Sequence, residues 1–146
     1  MGVVSKRIHQ RKTNRLAEPQ RAVTRLDADQ VLVALNETIT STPPKAGLLQ
    51  SGQKLWIFGT APGPWKVYYG PPGRKQPDKV VQVWLAHVDI KPASDGTETL
   101  VTVELVQWKT RDGKLVARPE FEHFRDQFAA RLVSADPAYR SLEGGA

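Results

Sequence analysis

The sequence predicts an α+β fold in which a curved antiparallel β-sheet packs against a long C-terminal helix. Residues 54–117 contain β-branched and aromatic runs separated by Gly, Pro and Asp turns, which is the pattern of successive antiparallel strands. Helical periodicity occurs once before this region and once after it. The prediction therefore also includes a short N-terminal helix, and an extended basic arm precedes that helix.

The arm, residues 1–22, shows neither helical nor strand periodicity. Its cationic segment, SKRIHQRKTNR at residues 5–15, holds five cations, no acid and one apolar side chain. On a helix, Arg7, Arg11 and Arg15 would repel one another at four-residue spacing, with no apolar stripe to compensate. We expect the arm to become ordered only against a partner.

The first helix is predicted over residues 28–39, after a short strand or lead-in at residues 23–26. Asp27 or Asp29 can cap its start, because a carboxylate accepts the free N–H groups there and complements the positive end of the helix dipole. Apolar side chains then recur at three- and four-residue spacing: Leu32, Leu35 and Ile39. The TSTPPKAG stretch ends the helix, since two consecutive prolines cannot continue its hydrogen bonds.

Four strands and a hairpin are predicted to follow. Asp95-Gly96 forms the turn between the two longest strands, and RDGK at residues 111–114 turns into a short strand at residues 115–117. The four main strands are KLWIFG, WKVYYG, KVVQVWLAHVDI and TETLVTVELVQWKT.

The C-terminal helix has the strongest pattern in the chain. Pro119 suits its first position, and Asp136-Pro137 ends it. One apolar stripe runs along it at intervals of three, four and four residues: Phe121, Phe124, Phe128 and Leu132. We expect this stripe to lie on the sheet, so that residues 23–136 form a single domain followed by a tail at residues 137–146.

The net charge of +6 is confined to the N-terminal part of the chain. Residues 1–25 contain seven Lys and Arg against one acid, whereas the remaining chain contains fourteen bases and fourteen acids. The body of the protein is therefore electrically balanced, and the arm carries the excess. Lysine and arginine in such a segment suit an acidic protein groove or the phosphates of a nucleic acid.

Several classes of function have no support in the sequence. The chain has no cysteine, which excludes disulfides and thiolate chemistry, and no apolar run of membrane-spanning length. It has no Gly-rich phosphate loop, nucleophile elbow or His-Glu-x-x-His motif. We expect no catalytic residue, no metal site and no cofactor. Without a recognisable secretory signal, the expected location is the cytoplasm or a macromolecular assembly.

The aromatic residues allow two interpretations. They can fill the core between the sheet and its helices, or some of them can line a cavity for an apolar ligand. The residues that would line such a pocket are Trp56, Trp84, Trp108, Phe121, Phe124 and Phe128.

The succession of a short strand, a helix, several antiparallel strands and a long closing helix resembles the helix-grip fold of the START-like and polyketide-cyclase-like superfamily. AVTRLDADQVLVALNETI is similar to the opening strand, turn and first helix of that family, and RPEFEHFRDQFAARL is similar to its closing helix. The strands from KLWIFG to VELVQWKT would supply the gripping sheet. The resemblance covers about residues 22–135, rests on element order, and implies a pocket for a hydrophobic ligand.

Three functions follow from these observations, and we favour the first. The protein is a non-enzymatic structural or accessory subunit of a larger assembly, which docks by its α+β body and anchors through the arm. Alternatively, it is a helix-grip binder or enzyme for a small hydrophobic ligand, or a nucleic-acid- or ribosome-associated protein. The expected partner-binding residues are Lys6, Arg7, Arg11, Lys12, Arg15 and Arg21.

Overall fold

The computed structural model describes residues 18–41, 54–60, 63–70, 83–93 and 96–142, and within them it confirms the α+β class. Five of the six predicted partner-binding cations lie outside these residues. The elements in chain order are β1 (Gln20–Thr24), α1 (Ala28–Ser41), β2 (Lys54–Phe58), β3 (Trp65–Gly70), β4 (Trp84–Pro92), β5 (Thr99–Trp108), β6 (Thr110–Arg111), β7 (Lys114–Leu115), α2 (Arg118–Ala135) and β8 (Arg140–Ser141).

Six strands form one antiparallel sheet in the order β2-β3-β4-β5-β1-β8. The first strand in the sequence therefore lies between β5 and β8, where it pairs on both sides. β6 and β7 form a separate hairpin around the predicted RDGK turn, in which Asp112 and Gly113 both have positive φ angles, 54° and 75°. Positive φ at both central residues is the geometry that Asp-Gly favours in a two-residue hairpin loop.

The two faces of the sheet differ in chemistry because strand side chains alternate. On one face, hereafter the helix face, Val88 lies opposite Val103, and both belong to the buried core that includes the helices. On the other, hereafter the outer face, Lys66, His87 and Glu104 stand side by side on β3, β4 and β5. The alternation thus places the core on the helix face and charged residues on the outer face.

The two helices pack against each other over the helix face, and α1 also contacts β2 and β4. Asp27 caps α1 reciprocally: its Oδ1 accepts the Gln30 N–H at 2.8 Å, and its own N–H donates to Gln30 Oε1 at 2.9 Å. In α2, all four residues of the predicted apolar stripe are buried. Both predicted helices are confirmed, and α1 extends two residues beyond the predicted end.

The sheet includes both ends of the described chain. β1 begins at Gln20, three residues before the domain boundary expected from composition, and β8 lies inside the predicted C-terminal tail. Because Arg21 is charged, the sequence analysis assigned this segment to the arm, although Ala22 and Val23 in the strand are buried. Arg21 therefore belongs to the sheet and marks the point where the arm leaves it.

A buried carboxylate joins the two ends of the domain. Asp136 Oδ2 accepts hydrogen bonds from the Thr24 hydroxyl at 2.6 Å and the Arg25 N–H at 2.7 Å, and Oδ1 accepts the Ala138 N–H at 2.8 Å. The Thr24 hydrogen bond, followed by the backbone hydrogen bonds, holds the pKa of Asp136 below its ordinary value. The end of β1 is thereby attached to the end of α2.

Candidate functional site

The space between α2 and the sheet is occupied by stacked and edge-on aromatic rings. The Trp84 ring lies 5.1 Å from that of Phe121, 6.1 Å from Phe124 and 6.0 Å from Tyr69, measured between centroids. Phe124 in turn stacks on Phe128 at 6.3 Å. The side chains of Trp84, Phe121, Phe124 and Phe128 are fully or almost fully buried. Four of the six predicted pocket residues therefore contact one another as part of the core.

The two remaining predicted pocket residues lie in different surroundings. Trp108 stands opposite Trp84 in the sheet and packs, half-buried, against the core. Trp56 lies on the outer face, where it stacks on Tyr68 at 6.2 Å and its indole N–H donates to the Gly70 carbonyl at 3.2 Å. The structure thus brings five of the six residues toward the helix face and separates Trp56 from them.

The outer face carries a second aromatic group. Beside the Trp56–Tyr68 pair, Phe58 meets the Tyr68 ring edge-on at 6.4 Å, and the Lys66 ammonium lies 5.2 Å from the centre of the Phe58 ring. Sequence reasoning placed Phe58 and Tyr68 in strands but did not assign them to a face. The alternation in β2 and β3 contains that information once the core side of the sheet is known.

Arg21 stands on the outer face at the root of the arm. Its backbone pairs with β5 on one side, and on the other its carbonyl accepts the Leu142 N–H at 2.9 Å. With Asp89 and Lys91, which form an ion pair at 3.0 Å, it lines a surface pocket of about 270 Å³. Arg21, at the base of the arm, is therefore fixed in the sheet beside one basic and one acidic side chain.

A groove of about 410 Å³ separates α1 from the C-terminal part of α2. Val33 in this groove is 57% exposed, which is unusual for a large apolar side chain on a helix whose other face is buried. The groove could not be predicted from the sequence, because its width depends on the spacing of two helices that are distant in the chain. The lining residues are Leu26, Gln30, Val33, Ala34, Glu37, Arg131, Ser134 and Ala135.

The described residues contain no cluster suited to a metal ion. No group of three or more His, Asp or Glu side chains among them is arranged to hold one. His87 lies on the outer face between Lys66 and Glu104, and His123 is exposed on α2. Within the part of the chain that the structure describes, no helix is both long and apolar enough to cross a membrane.

Comparison with known proteins assigns no family. No protein-family model matches the chain, and no curated protein shows significant similarity to it.

Proposed function

We propose that this protein is a non-enzymatic structural or accessory subunit of a larger assembly, which docks through its folded body and anchors through its cationic arm. The observation that carries the proposal is the strand to which the arm is joined in the sequence. That strand, β1, is hydrogen-bonded on both sides, by β5 and by β8.

This attachment suits a mechanical link between subunits. A segment attached to a frayed chain end transmits little force to the domain, because the frayed end detaches from the fold first. Here the residues after the arm are held by two neighbouring strands, and the Thr24 hydroxyl and the Arg25 N–H bind Asp136. A partner that binds the arm is therefore connected to a strand that is paired on both sides.

The charge distribution supports electrostatic anchoring through the arm rather than through the body. Because the chain beyond residue 25 is neutral overall, it exerts little long-range attraction on a charged partner. The five cations of the cationic segment can form charge-assisted hydrogen bonds with carboxylates, which are stronger than neutral ones. The body would then dock by shape after the arm has engaged.

The aromatic packing supports an accessory role over ligand binding. A pocket for a hydrophobic ligand on the helix face needs open volume between α2 and the sheet. In the described residues, Trp84, Phe121, Phe124 and Phe128 occupy that region with rings in mutual contact. These side chains therefore act as core.

The proposal is tested by the size of the native complex. A tagged full-length chain, expressed in its source cells, should sediment far ahead of a 16.2 kDa monomer and with other proteins in fixed ratio. Removal of residues 2–17 should weaken the complex, so that the protein sediments more slowly, with its circular dichroism unchanged.

Three results would contradict parts of this reading. A full-length chain that sediments as a monomer removes the assembly role. An unchanged complex after the deletion removes the role of the arm. Dissociation of the complex by nuclease treatment favours the nucleic-acid function over a protein partner.

A further inference from the structure

We propose that a small pocket beneath α2, between this helix and strands β1, β5 and β8, binds a carboxylate group through the Arg125 guanidinium. The pocket has a volume of about 50 Å³ and is separate from the groove between α1 and α2. Three observations support the site: the position of Arg125, the polar groups around it and the size of the space. None of them involves residues 1–17, so the site is independent of the proposed function.

Arg125 is a cation on the side of α2 that faces the sheet. It lies four residues after Phe121 and three before Phe128, both of which are buried in the apolar stripe of the helix. Its side chain is only 18% exposed, whereas the side chain of Arg118 on the same helix is 55% exposed. Removal of a charged group from water costs free energy unless a partner compensates for it. The position of Arg125 therefore favours an anion as its partner.

The protein itself supplies Arg125 with a weak partner. Its Nε–H donates to Asp126 Oδ1 at 3.4 Å, beyond the range of about 2.7–3.2 Å for such hydrogen bonds. The Asp126 side chain is 68% exposed and does not line the pocket, so water screens this ion pair. The guanidinium carbon also lies 5.8 Å from the centre of the Phe121 ring. Among the residues that the structure describes, the terminal nitrogens of Arg125 have no hydrogen-bond acceptor, and they can donate to a ligand.

Two further polar side chains line the pocket. Gln20 stands opposite Val103 on the helix face of the sheet, and Tyr139 packs against the core just before β8. Burial raises the pKa of Tyr139 above its ordinary value, so its hydroxyl keeps its proton and can donate. Arg21 also borders the pocket, but its side chain stands on the outer face. The lining residues, all of them within the described ranges, include no Asp or Glu, so the pocket offers hydrogen-bond donors and positive charge.

The size of the pocket favours a carboxylate over a larger anion. A single water molecule needs about 10–15 Å³ of cavity space, so about 50 Å³ admits a group of the size of a carboxylate. A carboxylate is planar and accepts two parallel N–H bonds from a guanidinium. A phosphate group is larger and tetrahedral. Phe128 and Leu132 line the same space, and their apolar surface strengthens a charged hydrogen bond beside them.

The test is a titration of purified, isotope-labelled full-length protein with sodium acetate at constant ionic strength, followed by nitrogen–proton NMR. The Nε–H resonance of Arg125 reports directly on the guanidinium. We expect a saturable shift with a dissociation constant in the millimolar range, since an isolated carboxylate makes few contacts. Sodium phosphate, titrated in the same way, should bind several-fold more weakly.

Arg125→Met removes the charge and keeps an apolar side chain, and it should weaken acetate binding at least about tenfold. The backbone amide resonances of Ala22 and Ala129, which line the pocket, report binding in this variant. The matched control is Arg118→Met, which makes the same change at an exposed residue of α2 that also contacts a carboxylate, and binding should persist unchanged. Far-UV circular dichroism checks that each variant is folded.

Two milder variants test the neighbours of Arg125. Tyr139→Phe should weaken acetate binding about threefold, because one hydroxyl donor is lost. Asp126→Asn should strengthen it about two- to fivefold, because a competing carboxylate is removed.

A second probe identifies the source of the carboxylate. Acetate represents a free small acid, and glutamate blocked at both its amino and its α-carboxyl group represents an acidic side chain of a partner protein. Tighter binding of the blocked glutamate assigns the pocket to a protein side chain, and tighter binding of acetate assigns it to a small acid.

Four results would overturn the proposal. They are the absence of a saturable shift with either carboxylate, an equal loss of binding in Arg125→Met and Arg118→Met, tighter binding of phosphate than of acetate, and binding that is present only in Asp126→Asn. The last result would show that Asp126 already satisfies Arg125. None of these results changes the sedimentation of the native complex, so the proposed function is tested separately.

Discussion

Replacement of Phe124 by alanine tests whether the helix face is core or ligand pocket. Phe124 is fully buried, and its ring lies 6.1 to 6.5 Å from the rings of Trp84, Phe121 and Phe128. Aromatic side chains bury at least about 150 Å². At about 25 cal/mol per Å², removal of the ring should lower the free energy of unfolding by about 4 kcal/mol.

The measurement is urea denaturation followed by far-UV circular dichroism. A loss of about 4 kcal/mol is large against a total stability of roughly 5–15 kcal/mol for a domain, so Phe124→Leu provides a variant that stays folded. It should cost about 1–2 kcal/mol, because most of the volume remains. His123→Ala, on the exposed side of the same helix, should change stability by less than about 0.5 kcal/mol.

One outcome would refute this reasoning. If Phe124→Ala costs less than about 1 kcal/mol, its neighbours do not enclose the ring, and open space is present between α2 and the sheet. The ligand-pocket interpretation of these aromatic residues would then replace the core interpretation. A titration of the variant with an apolar fluorescent dye would locate that space.

Three further predictions concern single residues. The free energy of unfolding should decline in acid, as the pH falls below about 3.8 and through the lowered pKa of Asp136. The reason is that the carboxylate bound by Thr24 and the backbone must then take up a proton. Asp136→Asn should remove this decline in urea titrations at a series of pH values. Ala117→Gly should raise the unfolding free energy by about 0.5–1 kcal/mol in the same assay, since Ala117 has a φ of 58°, where a Cβ is strained, and a decrease would contradict that account. Burial, with the negative charge of Glu120, raises the pKa of Tyr69 above 10.0; stability should therefore fall as the pH rises from about 10 through that pKa, and an equal fall in Tyr69→Phe would exclude this cause.

The sequence was most informative where one physical constraint determined the pattern. The stripe of Phe121, Phe124 and Phe128 predicted the buried face of α2 because one face of the helix meets the sheet along its length. The Asp-Gly pair at residues 112–113 predicted the β6–β7 hairpin because few residues adopt positive φ. Both signals are local, and both were confirmed.

Contacts between residues distant in the chain could not be predicted from the sequence. Gln20 and Arg21 become a strand because β5 supplies their partners from more than 80 residues away, and composition alone assigned them to the arm. The role of Asp136 was also missed: it was read as a helix terminator, while its carboxylate binds Thr24 across the domain. The exposure of Val33 depends on helix spacing, for which a single sequence has no marker.

Ionic strength separates the two contacts that the proposed function combines. Docking of the neutral body depends on shape and apolar contact, and salt changes it little. Anchoring through five cations depends on charge, and its affinity should fall steadily between low and physiological salt, where the Debye length shortens to about 8 Å. A complex whose salt dependence disappears on removal of residues 2–17, while a weaker association remains, therefore has both contacts. If removal of the arm abolishes all association, the complex has only the electrostatic contact, and the body then contributes to orientation rather than to affinity.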